Sequence, residues 1–207
     1  MVRVKICGVT NAADALAAAE FGADALGFMF FAGSKRHVSL PAAAAILREL
    51  PPLVAKVGVF VNATAEEILR AVGETGIDTL QLHGEESPEF CAQFAPLKVV
   101  KAFRLRDRAS LRECLNYPAH AWLLDSHVEG SHGGTGVAAD WNLVAEAARL
   151  NRHVMLAGGL RVETVACAVR RVRPFAVDVS SGVESAPGQK DHFKIRAFIQ
   201  AVRTAEL

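Results

Sequence analysis

Val2-Arg3-Val4-Lys5-Ile6-Cys7-Gly8-Val9-Thr10 reads as a strand running straight into a turn. Val2, Val4 and Ile6 alternate with Arg3, Lys5 and Cys7, the two-residue period of a pleated strand. Gly8 breaks the strand, and Thr10 or Asn11 can cap a helix that begins near Ala12. Lys5 and Cys7 therefore share one face at the carboxyl end of a strand, beside a loop. In α/β folds that end is where ligands bind and chemistry is done. Cys7 is the first candidate for a reactive group.

The same unit recurs along the chain. An alanine-rich helix from about Asn11 to Phe21 stops at Gly22, where a left-handed residue is expected. A second strand, Ala23 to Phe30, leads into the polar loop Ala32 to Ser39, and Pro41 opens a helix to Leu50. The third strand, Val54 to Val61, precedes a Thr64-x-x-Glu67 capping box and its helix. The fourth, Asp78 to Leu82, ends at His83-Gly84, with a helix from about Ser87-Pro88 to Ala95. Leu97 to Phe103 is the fifth, followed by a short helix around Ser110 to Leu115. The sixth, Ala121 to Asp125, meets a long loop from Ser126 to Gly136, and Asp140 is placed to cap the next helix, to Leu150. His153 to Ala157 runs into Gly158-Gly159 and a helix from Val162 to Val172. Phe175 to Val179 runs into Ser180 to Glu184, and the last helix spans His192 to Thr204.

Strands alternating with helices of this length pair in parallel. Eight such units fill the chain and close into a (β/α)8 TIM barrel, read as a single domain over residues 1–207. A doubly wound sheet, the alternative, usually employs five or six strands.

Composition narrows the function. With 51% hydrophobic residues in 207, the chain can bury a sizeable core. A net charge of +1 with both signs interspersed gives no electrostatic case for nucleic acid or an anionic membrane. No apolar run reaches the roughly 20 residues that span a bilayer, and the N-terminus does not read as a signal peptide. Cys7, Cys91, Cys114 and Cys167 are far apart and form no Cys-x-x-Cys pair, which fits a reduced, cytoplasmic setting. No set of His, Cys and carboxylates has metal-ligand spacing, so no metal is inferred.

All the suggestive loops follow strands, which gathers them at one mouth of the barrel. Gly158-Gly159 after the seventh strand and Ser181-Gly182 after the eighth occupy the position where such barrels bind phosphate. Glycine lets backbone N–H groups approach an anion. A tight strand-to-helix turn also wants glycine, but two such turns on adjacent units favour a phosphate site. Asp125 ends an apolar strand, where desolvation favours the protonated carboxyl and suits it to donate a proton. A helix cap is its plain alternative. The glycine-rich 132–136 segment that follows is placed to close over a substrate. Cys7 as a base requires a thiolate, which the Lys5 charge would favour; an inert buried cysteine is the alternative. Arg36 can hold a carboxylate or phosphate bidentately. Asp178 can meet sugar hydroxyls or pair with a lysine inside the barrel. His83 is open between ligand contact and turn.

Lys5-Ile6-Cys7-Gly8, Gly27-Phe28-Met29-Phe30 with Ser34-Lys35-Arg36, Gly58-Val59-Phe60-Val61-Asn62, Gln81-Leu82-His83-Gly84, Leu124-Asp125 with Gly133-Gly134-Thr135-Gly136 and Asp140-Trp141, Ala157-Gly158-Gly159-Leu160, and Asp178-Val179-Ser180-Ser181-Gly182-Val183-Glu184 occur in that order. Together they resemble the phosphoribosylanthranilate isomerase family of tryptophan biosynthesis, over almost the whole chain. One departure is Lys35, where the family usually has proline, which bears on loop rigidity. The resemblance implies an Amadori rearrangement of N-(5-phosphoribosyl)anthranilate, with Cys7 as general base and Asp125 as general acid. It implies that Arg36 holds the anthranilate carboxylate, that Gly159 and Ser181-Gly182 hold the phosphate, and that Asp178 lies near the ribose hydroxyls. The rearrangement has no net redox change, so no cofactor is implied. The implied partner is a small phosphoribosyl substrate, with the chain a monomer or homodimer. A different phosphosugar isomerase or a non-catalytic phosphate-binding barrel would share the phosphate loops; the Cys7, Asp125 and Arg36 set argues against both.

Overall fold

The structure is a computed structural model that describes residues 1–125, 141–151 and 153–205. Eight parallel strands close into a barrel in the order of the sequence. They are β1 (Arg3–Cys7), β2 (Ala25–Met29), β3 (Ala55–Phe60), β4 (Thr79–Leu82), β5 (Lys98–Arg104), β6 (Ala121–Asp125), β7 (Val154–Ala157) and β8 (Ala176–Val179). Each is followed by a helix: α1 (Ala12–Glu20), α2 (Leu40–Glu49), α3 (Ala65–Thr75), α4 (Pro88–Ala92), α5 (Arg108–Cys114), α6 (Trp141–Leu150), α7 (Val162–Val172) and α8 (His192–Thr204). Asp140 and the 126–136 loop lie outside the described residues.

Local chemistry sets the helix starts. The Asn11 side chain accepts from Asp14 N–H, so Asn11 rather than Thr10 caps α1. Thr64 and Glu67 form the expected reciprocal box at α3. Gly22 follows α1 at φ +96°, a conformation that an L side chain resists. Strand periodicity then sorts the core. One face of each strand packs against the helices in a layer that includes Ile6, Leu26, Phe28, Leu82, Leu124, Leu156 and Val177. The other face fills the barrel, with Val57, Val59, Val100, Leu123 and Met155 among its apolar members. Lys5 and Gln81 are buried on that inner face, which carries polar groups up to the mouth.

Two features were not expected. After β8 the chain makes a short 3-10 turn, Ser181–Val183, and then an antiparallel pair, β9 (Glu184–Ala186) and β10 (Gln189–Lys190). Strands of three and two residues are too short for alternation to show. The second is a buried ion pair in the barrel-to-helix layer. Lys101 Nζ lies 3.1 Å from Glu86 Oε2, both side chains 3% exposed. Lys101 also donates to the carbonyls of Leu82, Gly84 and Ala102, while Glu86 accepts from the N–H groups of Asn62 and Gly84. The pair thus ties the ends of β3, β4 and β5 together.

Among the described residues no helix is long and apolar enough to cross a membrane.

Removing one member of such a pair strands the other charge. Glu86→Leu is expected to lower the unfolding free energy by about 3–5 kcal/mol in reversible urea denaturation. A loss below about 1 kcal/mol would show that the three carbonyls alone satisfy Lys101.

Candidate active site

A cleft of about 380 Å³ opens at the carboxyl end of the barrel. Cys7, Arg36, His83, Asp125, Gly158, Gly159, Asp178, Ser181 and Gly182, every candidate named from the sequence, line it. It is also lined by Gln81, Ser180 and Leu160, which stand in the motifs quoted above without a role of their own, and by Arg161, which the sequence did not single out.

Cys7 ends β1, and Gly27 of the neighbouring β2 gives it room. A Cβ on Gly27 would fall 2.8 Å from Cys7 Sγ and 3.1 Å from Lys5 Nζ. Lys5 Nζ in turn donates to Asp178 Oδ1 at 2.7 Å, so Asp178 has the lysine partner that was one of its two readings. Burial opposes the Lys5 charge, but Asp178 and Cys7 outweigh it and hold the ammonium above its ordinary pKa. Burial pushes the Cys7 thiol up; Lys5 and Lys190 pull it down and Asp178 pushes with burial, leaving it above its ordinary value. Lys5 therefore acts in the expected sense, but it does not win. A charge already paired with a carboxylate has less field left for the sulfur.

Asp125 ends β6, half-buried, in register with Ala157 of β7. His83 Nδ1 is 2.8 Å from Gln81 Nε2. With that amide donating, the neutral ring carries its proton on Nε2. Burial holds the His83 imidazolium below its ordinary pKa, partly opposed by Asp178 and Asp125. Gln81 Oε1 and Ser180 Oγ are buried with no hydrogen-bond partner among the described residues, so the cleft keeps polar capacity to spare.

Arg36 is not a loose loop arginine. Its Nε and Nη2 donate to the two oxygens of Glu184 at 2.8 and 2.7 Å. Its stem crosses Gly8, where an added Cβ would lie 2.5 Å from Arg36 Cδ. Ser34 Oγ accepts from Arg36 N–H at 3.1 Å, which steadies the loop without the proline that Lys35 replaces. Glu184 and Lys190 are supports that the sequence reading missed. Lys190 meets Cys7, whose carbonyl accepts from its Nζ, across 183 residues of sequence, so no local pattern announces it.

The two phosphate candidates abut. Gly158 and Gly159 have φ +95° and +66°, both left-handed. A Cβ on Gly182 would sit 1.9 Å from the Leu160 carbonyl oxygen, so only glycine lets the loops after β7 and β8 come this close. Such a mouth presents backbone to an anion, beside a cysteine and a carboxylate on separate strands.

Comparison with known proteins agrees with this geometry. Residues 4–201 match the family described as N-(5'phosphoribosyl)anthranilate (PRA) isomerase. The N-(5'-phosphoribosyl)anthranilate isomerase of Citrifermentans bemidjiense is 50% identical over 207 residues, covering 100% of both chains. A crystal structure of phosphoribosyl anthranilate isomerase in complex with reduced 1-(o-carboxyphenylamino)-1-deoxyribulose 5-phosphate superposes with a TM-score of 0.90 at 44% identity. It covers 99% of this chain and 100% of its own. Monomers of the dimeric Thermotoga maritima enzyme give 0.88 at 43% identity, with the same coverage.

The direction of the Cys7 shift is measurable. The thiolate is the reactive form, so a raised pKa delays reactivity to higher pH. In a Cys167→Ser background, which removes the exposed thiol, the iodoacetamide rate at Cys7 is expected to rise through a midpoint above that of an unstructured cysteine peptide measured alongside. Lys5→Met should move that midpoint further up. A parent midpoint at or below that of the peptide would show that the cations outweigh burial.

Proposed function

The chain belongs to the N-(5'-phosphoribosyl)anthranilate isomerase family, and we propose that Cys7 is its general base and Asp125 its general acid. The reaction is the Amadori rearrangement of N-(5-phosphoribosyl)anthranilate to 1-(2-carboxyphenylamino)-1-deoxyribulose 5-phosphate, a step of tryptophan biosynthesis. The observation that carries the assignment is that both proton-transfer candidates share one cleft with candidates for both anionic ends of the substrate.

The substrate phosphate sits on the loops of Gly158-Gly159 and Ser181-Gly182, where backbone approach is closest. Arg36 takes the anthranilate carboxylate. The ribose lies between, beside Asp178 and His83. Asp125 donates a proton to the ribose ring oxygen as the C1–O bond breaks, which opens the ring to a protonated Schiff base. The Cys7 thiolate removes the C2 proton, and the C2–H electron pair flows toward nitrogen to give an enolamine. Tautomerisation then adds a proton at C1 and removes the one on O2, leaving the ketone. Protons move without net oxidation or reduction, so this reading calls for no cofactor.

The buried position of Cys7 has a use here. A thiolate with a raised pKa is a stronger base once formed, although less of it is present. Proton abstraction from carbon needs that strength.

The phosphoribosyl substrate is the partner this reading requires, and the chain acts as a monomer or homodimer. The four unpaired cysteines support a reduced, cytoplasmic setting.

Fluorescence decay of N-(5-phosphoribosyl)anthranilate, generated in situ from anthranilate and phosphoribosyl pyrophosphate, tests the pair. Cys7→Ser and Asp125→Asn are each expected to lower kcat by ~10²–10⁴-fold. Both should still bind the reduced product analogue within about threefold of wild type, because neither carries an anion contact. Near-normal turnover by either variant would remove that residue from its role.

A further inference from the structure

Arg36 raises a question of charge. Glu184 already takes its Nε and Nη2 in a bidentate pair, and Glu184 is nearly fully buried, its side chain 5% exposed. One carboxylate can neutralise one guanidinium, which would leave a second carboxylate little to gain. The answer lies on β10. Lys190 Nζ, 0% exposed, is 2.9 Å from Glu184 Oε1. Its other two donors go to the carbonyls of Cys7 at 2.6 Å and Ser180 at 3.3 Å. An ammonium has three N–H groups, so the Lys190 head is fully used.

Glu184 thus divides one negative charge between two cations, and the Arg36–Glu184–Lys190 cluster is left with a net charge of +1. The geometry leaves that charge at a defined place. The guanidinium has five N–H donors, and Glu184 takes one on Nε and one on Nη2. The remaining edge has one N–H from Nη1 and one from Nη2 side by side, the pattern that matches a second carboxylate. Arg36 is the member of the cluster with exposure, 26%, and it lines the cleft. Burial pulls the Lys190 pKa down and Glu184 opposes it.

We propose that Lys190 is a positioning residue for substrate recognition: by sharing Glu184, it leaves the outer edge of Arg36 both aimed and electrostatically unspent for the anthranilate carboxylate. Lys190 touches no substrate atom; it acts through Glu184 and Arg36. Its bonds to the Cys7 and Ser180 carbonyls fix the same ammonium to the base strand and to the phosphate loop. This rests on the assignment of Arg36 to the carboxylate.

The test is a ratio of dissociation constants. Reduced 1-(o-carboxyphenylamino)-1-deoxyribulose 5-phosphate is compared with its phenylamino counterpart, which lacks the carboxyl group. Arg36→Met reports on the underlying assignment: if it keeps the wild-type preference for the carboxylate, Arg36 is not the contact. Given that loss, three variants test the charge sharing. Lys190→Met leaves Glu184 to cancel Arg36, and the preference is expected to fall by about tenfold. Glu184→Gln retains the hydrogen bond to Nε but frees both cations, and the preference should rise. Glu184→Gln with Lys190→Met leaves Arg36 alone, and the preference should return toward wild type. If Lys190 only braces the backbone, both analogues weaken together and the ratio does not move. An unchanged ratio in Lys190→Met, or no recovery in the double variant, overturns the proposal. Should Lys190→Met not fold, Glu184→Gln decides alone: a raised ratio supports the sharing, and an unchanged or lowered one overturns it.

Discussion

Lys5 and Asp178 face each other across the seam where β1 meets β8, with 2.7 Å between Nζ and Oδ1. The first strand of the chain can close the barrel only against the last, and this pairing puts a cation opposite an anion in the buried interior. A lone charge there would cost far more than the pair returns, so each residue makes the other tolerable. The same register fixes Cys7 two residues above Lys5 and sets Ser180 to Gly182 immediately beyond Asp178. One ion pair therefore sets the height at which the Cys7 strand and the Ser181-Gly182 loop meet. It also limits Cys7 in the role proposed for it. A lysine committed to Asp178 cannot give its whole field to the sulfur, and burial keeps the thiol protonated to higher pH.

Four cations in the carboxyl half of the barrel are held by carboxylates. Lys5 has Asp178, Lys101 has Glu86, and Arg36 and Lys190 have Glu184. Lys101 works outside the barrel wall, where it ties loop ends. Lys5 works inside the wall, and Lys190 lies behind the mouth. Of these three groupings, the last has more cations than anions. That surplus reaches the cleft through Arg36.

Much of the fold is legible because it is local. Alternation in the first strand and short apolar runs bounded by turns in the others place all eight strands to within about two residues, and side chains at Asn11, Ser39, Thr64 and Ser87 begin their helices as their types predict. The candidate residues share a cleft because strand ends in a barrel must, so position along a strand was enough to collect them. What escaped has a common cause. Lys190 to Cys7 spans 183 residues and Arg36 to Glu184 148, while Lys5 to Asp178, 173 apart, stood only as one of two readings of Asp178. Such pairs carry no periodicity, and β9 and β10 are too short to announce themselves. Gln81 falls in a strand pattern where glutamine reads as filler; only the structure shows its amide 2.8 Å from His83. The thiol shift escaped for another reason, since the sign of a pKa shift depends on whether burial or the nearby charge is larger. Adjacency in sequence shows the charge and hides the burial.

The separation of the two proton-transfer candidates follows from strand order. Cys7 ends β1 and Asp125 ends β6, with β7 and β8 between them on the short way round. Those two intervening strands carry the glycine loops. In the proposed binding mode a phosphate anchored on them leaves the sugar between the two candidates. The proposed chemistry needs that separation, because the ring oxygen must gain a proton while C2 loses one. The two strands between Cys7 and Asp125 carry the loops where Gly158 and Gly159 take left-handed φ and Gly182 lets backbone come together where a side chain would not fit.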